Sequence, residues 1–221
     1  MAPRHRTNPL ALALLICLYE RPMHPYEAAT TLRQRGKHYS VRLNYGSLYS
    51  VVESLERRGL IEAVETQREG RLPERTVYRL THAGQVEAQE WLSELVSTPV
   101  KEYPAFEAAL SFLPALPPEQ AGQLLEERAG RLELEIAQIE AIGEMMQKHA
   151  LPRLFRIESE FSLAVKQSEL AFVRKLAYEI RTEALEGSEW WRSVHESSDD
   201  VIPYPREWDS TIGGEEERQW Q

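Results

Sequence analysis

The segment that most constrains the fold of this chain covers residues 44–61, NYGSLYSVVESLERRGLI. Four apolar residues recur in it at steps of three and four: Leu48, Val51, Val52 and Leu55. This spacing predicts a helix with one buried face. Asn44 is a favoured residue at a helix N-terminus. Gly59 suits the left-handed position that ends a helix, so the segment has a predicted start, stop and buried side.

The other face of this helix is polar and aromatic. It carries Tyr45, Ser47, Tyr49, Ser50 and Ser54, and no carboxylate precedes Glu53. The amino end of a helix favours phosphate because its free N–H groups carry partial positive charge. An ordinary surface helix facing water would have the same pattern, so a nucleic-acid interpretation depends on the neighbouring segments.

The charge of the chain is divided unevenly along its 221 residues. The net charge is −9, but residues 1–82 hold 13 Lys and Arg against 8 Asp and Glu, a net of +5. The remaining residues hold 13 against 27, a net of −14. A basic first part favours binding to a polyanion, and an acidic second part does not.

Two more helices are predicted before this segment and a hairpin after it. The first helix covers residues 10–19, after Asn8 and Pro9; the second starts at Pro25, with Tyr26, Ala29 and Leu32 facing inward. Alternating β-branched residues predict strands at 61–66 and 76–81. The hairpin tip between them holds Gly, Pro and three arginines. A fourth helix follows Thr81 and runs to Ser97, burying Ala88, Trp91, Leu92 and Leu95.

Three helices, a basic hairpin and a fourth helix form the pattern of a winged helix-turn-helix domain, assigned to residues 1–97. In that architecture the third helix enters the major groove of DNA and the hairpin reaches the backbone or minor groove. Packing alone explains each element singly. Their combination with local positive charge favours DNA binding.

Residues 98–187 predict a mostly helical second domain with two long antiparallel helices. The first, over 119–149, has a heptad pattern; the second, over 153–186, has two apolar stripes. Two stripes imply two packing partners, so we expect dimerisation through Leu125, Leu132, Ile136, Ile139, Met146, Phe161 and Phe172. An ordinary helical domain packed within one chain is the alternative. The fold class is thus mostly α with a small β-hairpin wing.

Residues 188–221 form a polar and aromatic C-terminal tail. Ser, Asp, Gly and Glu runs are typical of loops or disorder. Five aromatic residues are too many for a free tail: Trp190, Trp191, Tyr204, Trp208 and Trp220. Part of the tail is therefore expected to dock on the helices.

Residues 10–91 resemble the PadR family of bacterial transcriptional regulators. The resemblance rests on LL at 14–15, HPYE at 24–27, GSLY at 46–49, LERRGLI at 55–61 and RTVYRLT at 75–81, with glycine at 84. The second domain resembles, more loosely, the helical domain of longer PadR-type regulators sometimes named for a virulence activator. Two positions depart from the family pattern: Pro25 stands where glycine is usual, and Glu74 where a basic residue is frequent.

The resemblance implies a homodimer that binds an inverted-repeat operator in double-stranded DNA, usually to repress, and is released by a small apolar or phenolic effector. On this basis operator contacts are expected from Tyr45, Ser47, Tyr49 and Ser50 in the helix and Arg71 and Arg75 in the wing. Lys37 and Arg42 are expected at phosphates. Tyr49 could instead anchor the helix in the core. Trp91 and Phe106 are candidates for the effector pocket, although Trp91 at this spacing also fits the core.

Other classes of protein receive little support from the sequence. The six histidines lack metal-ligand spacing, and no nucleophile–base pair or phosphate loop points to an enzyme or a cofactor. A single cysteine, Cys17, excludes an intrachain disulfide. No stretch suits a membrane helix, so a cytoplasmic location is expected. The main alternative function is a winged-helix protein–protein interaction module without specific DNA binding.

Overall fold

The computed structural model describes residues 8–67 and 75–196. The chain divides into two compact units, Met1–Glu102 and Tyr103–Gln221. The boundary lies five residues beyond the position predicted from sequence, after the Pro99 segment rather than before it.

The first unit has the predicted order of three helices, a hairpin and a fourth helix. Its elements are α1 (Pro9–Glu20), α2 (Pro25–Gln34), a 3-10 turn (Lys37–Tyr39), α3 (Tyr45–Arg57), β1 (Ile61–Gln67), β2 (Arg75–Leu80) and α4 (His82–Ser97). The strands pair antiparallel, with a register shift between Ala63 and Glu65. Met23 forms an isolated antiparallel bridge to β2: the backbones of Met23 and Tyr78 exchange two hydrogen bonds of 3.1 Å each.

Local side chains start these helices. Asn8 Oδ1 accepts from the N–H of Leu10 at 3.1 Å, and Thr81 Oγ1 accepts from the N–H of Gly84 at 3.0 Å. Pro25 stands at the first position of α2, where a missing N–H costs nothing, so this departure from the family pattern is accommodated.

The first unit has one continuous apolar core. It is formed by α1, the inner faces of α2 and α3, the residues at the start of β1, and α4, where Trp91 is only 2% exposed. The helix faces were predicted correctly at α1 and α3. Three residues predicted to be inside are exposed: Tyr26, Leu92 and Leu95. The core side of α2 is formed instead by Ala28, Ala29 and Leu32, and α4 buries only Gly84, Ala88 and Trp91.

The second unit is built on a long helical hairpin. Its elements are α5 (Ala105–Ser111), a 3-10 turn (Leu113–Ala115), α6 (Pro118–Lys148), a 3-10 turn (Arg153–Phe155), α7 (Ile157–Arg181) and α8 (Ser188–Glu196). Helix α7 is shorter than predicted, because residues 153–155 form a separate turn and the helix ends at Arg181.

Helices α6 and α7 pack antiparallel over a core of Ala121, Leu125, Ala129, Leu132, Val173, Ala177 and Ile180. Ion pairs flank it: Arg128 Nε donates to Glu169 at 2.7 Å and Arg174 Nη2 to Glu133 at 2.5 Å. The first residues of the predicted tail form α8. Its Trp191 is buried, and the indole Nε1 donates to the Leu116 carbonyl at 2.8 Å. Residues 197–221 lie outside the described residues.

Candidate nucleic-acid interface

Helix α3 has a clearly defined start and end. Asn44 Oδ1 accepts from the N–H of Gly46 at 2.9 Å. At the other end, Gly59 is left-handed with a φ of 69°, and the Leu60 N–H donates to the Leu55 carbonyl at 3.0 Å. This is the expected glycine-terminated helix end. The outer face of α3 is therefore held in a fixed position by both termini and by its buried side.

The solvent face of α3 is a continuous stripe of exposed residues: Gly46, Tyr49, Ser50, Glu53 and Arg57. These positions follow the helical repeat and lie opposite the buried Leu48 and Leu55. Tyr49 is 54% exposed, so of the two interpretations open from sequence the solvent-facing one applies. A side chain that is exposed at the amino half of such a helix is free to contact a ligand.

Two hydroxyl groups on this helix are oriented by the backbone. Ser47 Oγ donates to the Asn44 carbonyl at 3.1 Å, and Ser50 Oγ donates to the Ser47 carbonyl at 2.8 Å. Because each hydroxyl proton is used in this way, the oxygens are left as acceptors. Base amino groups in the major groove are donors, whereas phosphates are not. This geometry therefore suits Ser47 and Ser50 to base edges better than to the backbone of DNA.

Tyr45 lies in a cluster with Tyr26 and Arg33 that was not predicted from the sequence. It is half-buried against the core, its ring centroid is 5.8 Å from that of Tyr26, and the Arg33 guanidinium lies 5.4 Å from its ring. Tyr26 and Arg33 are seven residues apart on α2 and share one helical face. The seven-residue spacing of Tyr26 and Arg33 could have indicated this shared face. It was overlooked because Tyr26 was assigned to the core.

The predicted phosphate contacts lie between α2 and α3. Arg42 is exposed two residues before Asn44, and Lys37 is half-buried in the 3-10 turn. Arg35 has a structural role instead, because its guanidinium binds both oxygens of Glu20 at 2.5 and 2.8 Å. That bond is the largest cause lowering the pKa of Glu20.

The wing is only partly described. Arg71 lies outside the described residues. Arg75 begins β2, where its backbone pairs with Gln67, and its side chain is likewise outside them. The base of the wing contacts α3 through Tyr78, whose pKa is raised by burial and then by the charge and hydrogen bond of Glu56. The charge of Glu53 raises the pKa of Tyr78 further.

Comparison with known proteins supports this architecture. Residues 14–90 match the model of the transcriptional regulator PadR-like family. This part of the chain is therefore similar to the PadR-like domain. No protein of curated function shows significant sequence similarity to the chain.

Solved structures extend the likeness to both units. Bacillus subtilis PadR in complex with operator DNA is 17% identical with a TM-score of 0.64, over 78% of this chain and 99% of that one. The Vibrio cholerae virulence activator AphA is 18% identical with a TM-score of 0.61, over 79% and 99%. Bacillus subtilis PadR in complex with p-coumaric acid is 15% identical with a TM-score of 0.63, over 78% and 98%. At these identities the likeness is one of fold: a winged helix followed by long carboxy-terminal helices.

The residues predicted for dimerisation fall into two groups in the structure. Leu125 and Leu132 are buried within one chain, where they belong to the core between α6 and α7, and Ile136 is 9% exposed. They are therefore not available to a second chain, which corrects that expectation. Ile139 and Met146 are half-buried, whereas Phe161 and Phe172 are 72% and 51% exposed.

The two effector candidates lie in different units. Trp91 is part of the buried core of the first unit, so the core interpretation applies to it. Phe106 on α5 is half-buried in the second unit, and the Arg128 guanidinium lies 3.7 Å from its ring centroid. Only Phe106 exposes a surface that a ligand could reach.

Within residues 8–67 and 75–196, no three His, Cys, Asp or Glu side chains cluster as metal ligands. Over the same ranges, no helix combines the length and hydropathy needed to cross a bilayer.

Proposed function

We propose that the chain is a dimeric transcriptional repressor that places α3 in the major groove of an inverted-repeat operator. The observation that carries this proposal is the capped, outward-facing amino half of α3, with Tyr49 exposed and two serine oxygens oriented as acceptors. The match to a family of transcriptional regulators supports it. Such a protein acts on chromosomal DNA and hence in the cytoplasm of a bacterium.

Each residue of the interface has a separate task in this proposal. Tyr49, Ser47 and Ser50 contact base edges, and the Tyr45 ring with Arg33 supports the start of α3. Arg42 and Lys37, with Arg71 and Arg75 from the wing, contact phosphates and set the orientation of the domain. Phosphate contacts supply most of the affinity, and base contacts supply the sequence preference.

Two copies of α3 are needed because one recognition helix reads only a few base pairs. Helices related by a two-fold axis read half-sites about 34 Å apart, one turn of DNA. The exposed side of α7 and the turn before it supplies a dimer surface: Leu154, Phe155, Ile157, Phe161, Val165 and Phe172 are between 48% and 72% exposed. Exposed apolar patches of this kind are typical of protein interfaces.

Release from DNA is assigned to a small planar apolar or phenolic effector. One similar structure, that of Bacillus subtilis PadR, is named as a complex with p-coumaric acid, which is a compound of this type. Phe106 remains the candidate contact in this chain.

Fluorescence anisotropy tests the DNA proposal. The purified chain is titrated onto its own upstream region and onto random DNA of equal length at several salt concentrations. Preference for the upstream fragment, with affinity falling steeply as salt rises, is the expected result, because phosphate binding releases counterions. Equal binding to both fragments, or binding indifferent to salt, would instead favour a winged-helix module that contacts another protein.

Sedimentation tests the dimer surface. Phe161→Glu with Phe172→Glu places four charges in a two-fold interface and should yield a monomer of unchanged helix content. Phe112→Glu is the matched control, because Phe112 is 73% exposed and follows α5, outside helix α7. If the double variant remained a dimer, the α7 face would be excluded as the interface.

A further inference from the structure

The second unit contains an apolar groove between α5 and the α6–α7 pair. Its volume is about 520 Å³. The apolar lining includes Phe106, Phe112, Leu113, Leu116, Leu124 and Leu132. Phe112 and Leu124 on its edge are 73% and 44% exposed. A groove with protruding apolar edges loses stability in water, so some apolar partner is expected to cover it.

The rim of the groove is charged but balanced. Arg128 binds Glu169, Lys166 binds Glu135, and Arg131 lies 3.3 Å from Glu127. Each cation on the rim is thus paired with a carboxylate, so the groove does not select a charged small molecule. Binding sites for small ligands usually enclose most of the ligand surface. An open, neutral, apolar groove suits an extended apolar peptide, which would share Phe106 with the effector proposed above and compete with it for the groove.

The direction of α8 indicates which peptide is available. Trp191 near its middle binds the carbonyl of Leu116, whereas His195, one turn later, lies 2.9 Å from the carbonyl of Pro114. Along α8 the contacts therefore move back toward α5. The helix ends at Glu196, beside the turn whose residues Leu113 and Leu116 line the groove.

The sequence that follows α8 has the required composition. Residues 197–208 read SSDDVIPYPREW, with Val201, Ile202, Tyr204 and Trp208 as large apolar side chains. Val201 lies five residues after Glu196, a distance of up to about 17 Å when extended, against a length of about 10 Å for α5. Two prolines at alternate positions favour an extended conformation of the kind that binds grooves.

We propose that residues 201–208 of the same chain bind in the groove between α5 and α6, covering Phe112 and Leu124. This surface belongs wholly to the second unit, so the inference does not depend on DNA binding.

Disulfide trapping in the full-length chain tests this docking. Ala109 lines the groove, while the neighbouring Ala108 is exposed and does not. The variant Ala109→Cys with Tyr204→Cys is compared with Ala108→Cys with Tyr204→Cys under mild oxidation. Cys17 can stay in place, because it is buried and its pKa is raised to about 11, chiefly by that burial. A disulfide also requires Cα atoms within about 7 Å, so it reports close approach.

The expected result is an intrachain disulfide that forms at least about ten-fold faster at position 109 than at position 108. Adding Phe112→Ser to the first variant should slow it, because the apolar edge is lost. Helix content checks that each variant is folded. Equal rates at 108 and 109, or no disulfide, would overturn the proposal and leave the groove to another ligand. Products that join two chains would also overturn it, since they would place a second copy's tail in the groove.

Discussion

The two units differ in how completely one chain covers its apolar faces. In the first unit α1, α2, α3 and α4 enclose a single core, and residues such as Leu15 and Leu55 are at most 1% exposed. In the second unit α7 has two apolar faces. Val173 and Ala177 on one are at most 2% exposed, whereas Phe161 and Phe172 on the other are open.

The difference follows from the number of elements that pack together in each unit. Four helices and a hairpin can surround one core, but a helical hairpin covers only the faces that its two helices turn toward each other. Within the described residues, nothing covers the other face of α7, where Phe161 and Phe172 are exposed. We infer that the first unit is complete for contacting DNA, while the second brings two such units together.

The largest expected effect is the loss of a buried side chain from the covered face of the second unit. Leu132→Ala should lower the free energy of unfolding by about 2–5 kcal/mol, because Leu132 is 5% exposed between α6 and α7. Leu134→Ala is the matched control two positions away, where the side chain is 67% exposed and little change is expected. Urea denaturation followed by circular dichroism measures both. Equal losses would show that the exposed side of α6 is also covered, by a partner.

A smaller change in the free energy of unfolding is expected from replacing glycines by alanine, and its sign should differ between the two units. A Cβ at Gly84 would lie 2.0 Å from the Leu60 carbonyl oxygen, so Gly84→Ala must move the backbone between β1 and α4. We expect a loss of about 1–3 kcal/mol. A Cβ at Gly130 on α6 meets nothing within 4 Å, and Gly130→Ala should stabilise by about 0.5–1 kcal/mol. The same denaturation curves give both values, and a stabilising Gly84→Ala would contradict the close approach.

On DNA, the comparison becomes one between base and phosphate contacts. Tyr49→Ala should cost about 1–2 kcal/mol on the operator and little on random DNA. Arg42→Ala should weaken both equally and reduce the salt slope by about one. Tyr178→Ala is the control, a tyrosine 56% exposed in the second unit. Anisotropy titrations measure all three, and uniform losses from Tyr49→Ala would remove its role in sequence preference.

The elements could be predicted where local chemistry determines them. Asn8, Asn44 and Thr81 each cap the helix they were expected to cap, and the apolar spacing of α3 matches its buried side. The errors came from tertiary packing. Leu92 and Leu95 have helical spacing, yet α4 is covered along only part of its length. Tyr26 was misplaced for the same reason, since a tyrosine fits both a core and an exposed cluster.

The long helices show a second limit of sequence patterns. A heptad pattern of apolar residues indicates that a helix face is buried. It does not indicate whether the same chain or another chain covers that face. Leu125 and Leu132 were therefore assigned to a dimer although they belong to the core that α6 forms with α7 of the same chain. The cluster of Tyr26, Arg33 and Tyr45 was missed because it joins two helices whose relative placement no local pattern encodes.

The smallest expected effect concerns acid stability and compares an ion pair in the first unit with an unpaired position in the second. The Arg35 hydrogen bond lowers the pKa of Glu20 in the folded chain, and the side chains are about half exposed. A carboxyl with a lowered folded pKa stabilises above its unfolded pKa, about 4.3, and this contribution disappears as pH falls through the folded pKa. Glu20→Gln should therefore lower the free energy of unfolding by well under 1 kcal/mol at pH 7, and it should have no such effect once the pH has fallen below the lowered folded pKa of Glu20. Glu140→Gln on α6 is the control. A Glu20→Gln deficit that persisted at low pH would mean that the side chain acts through packing, since protonation would then leave its contribution unchanged.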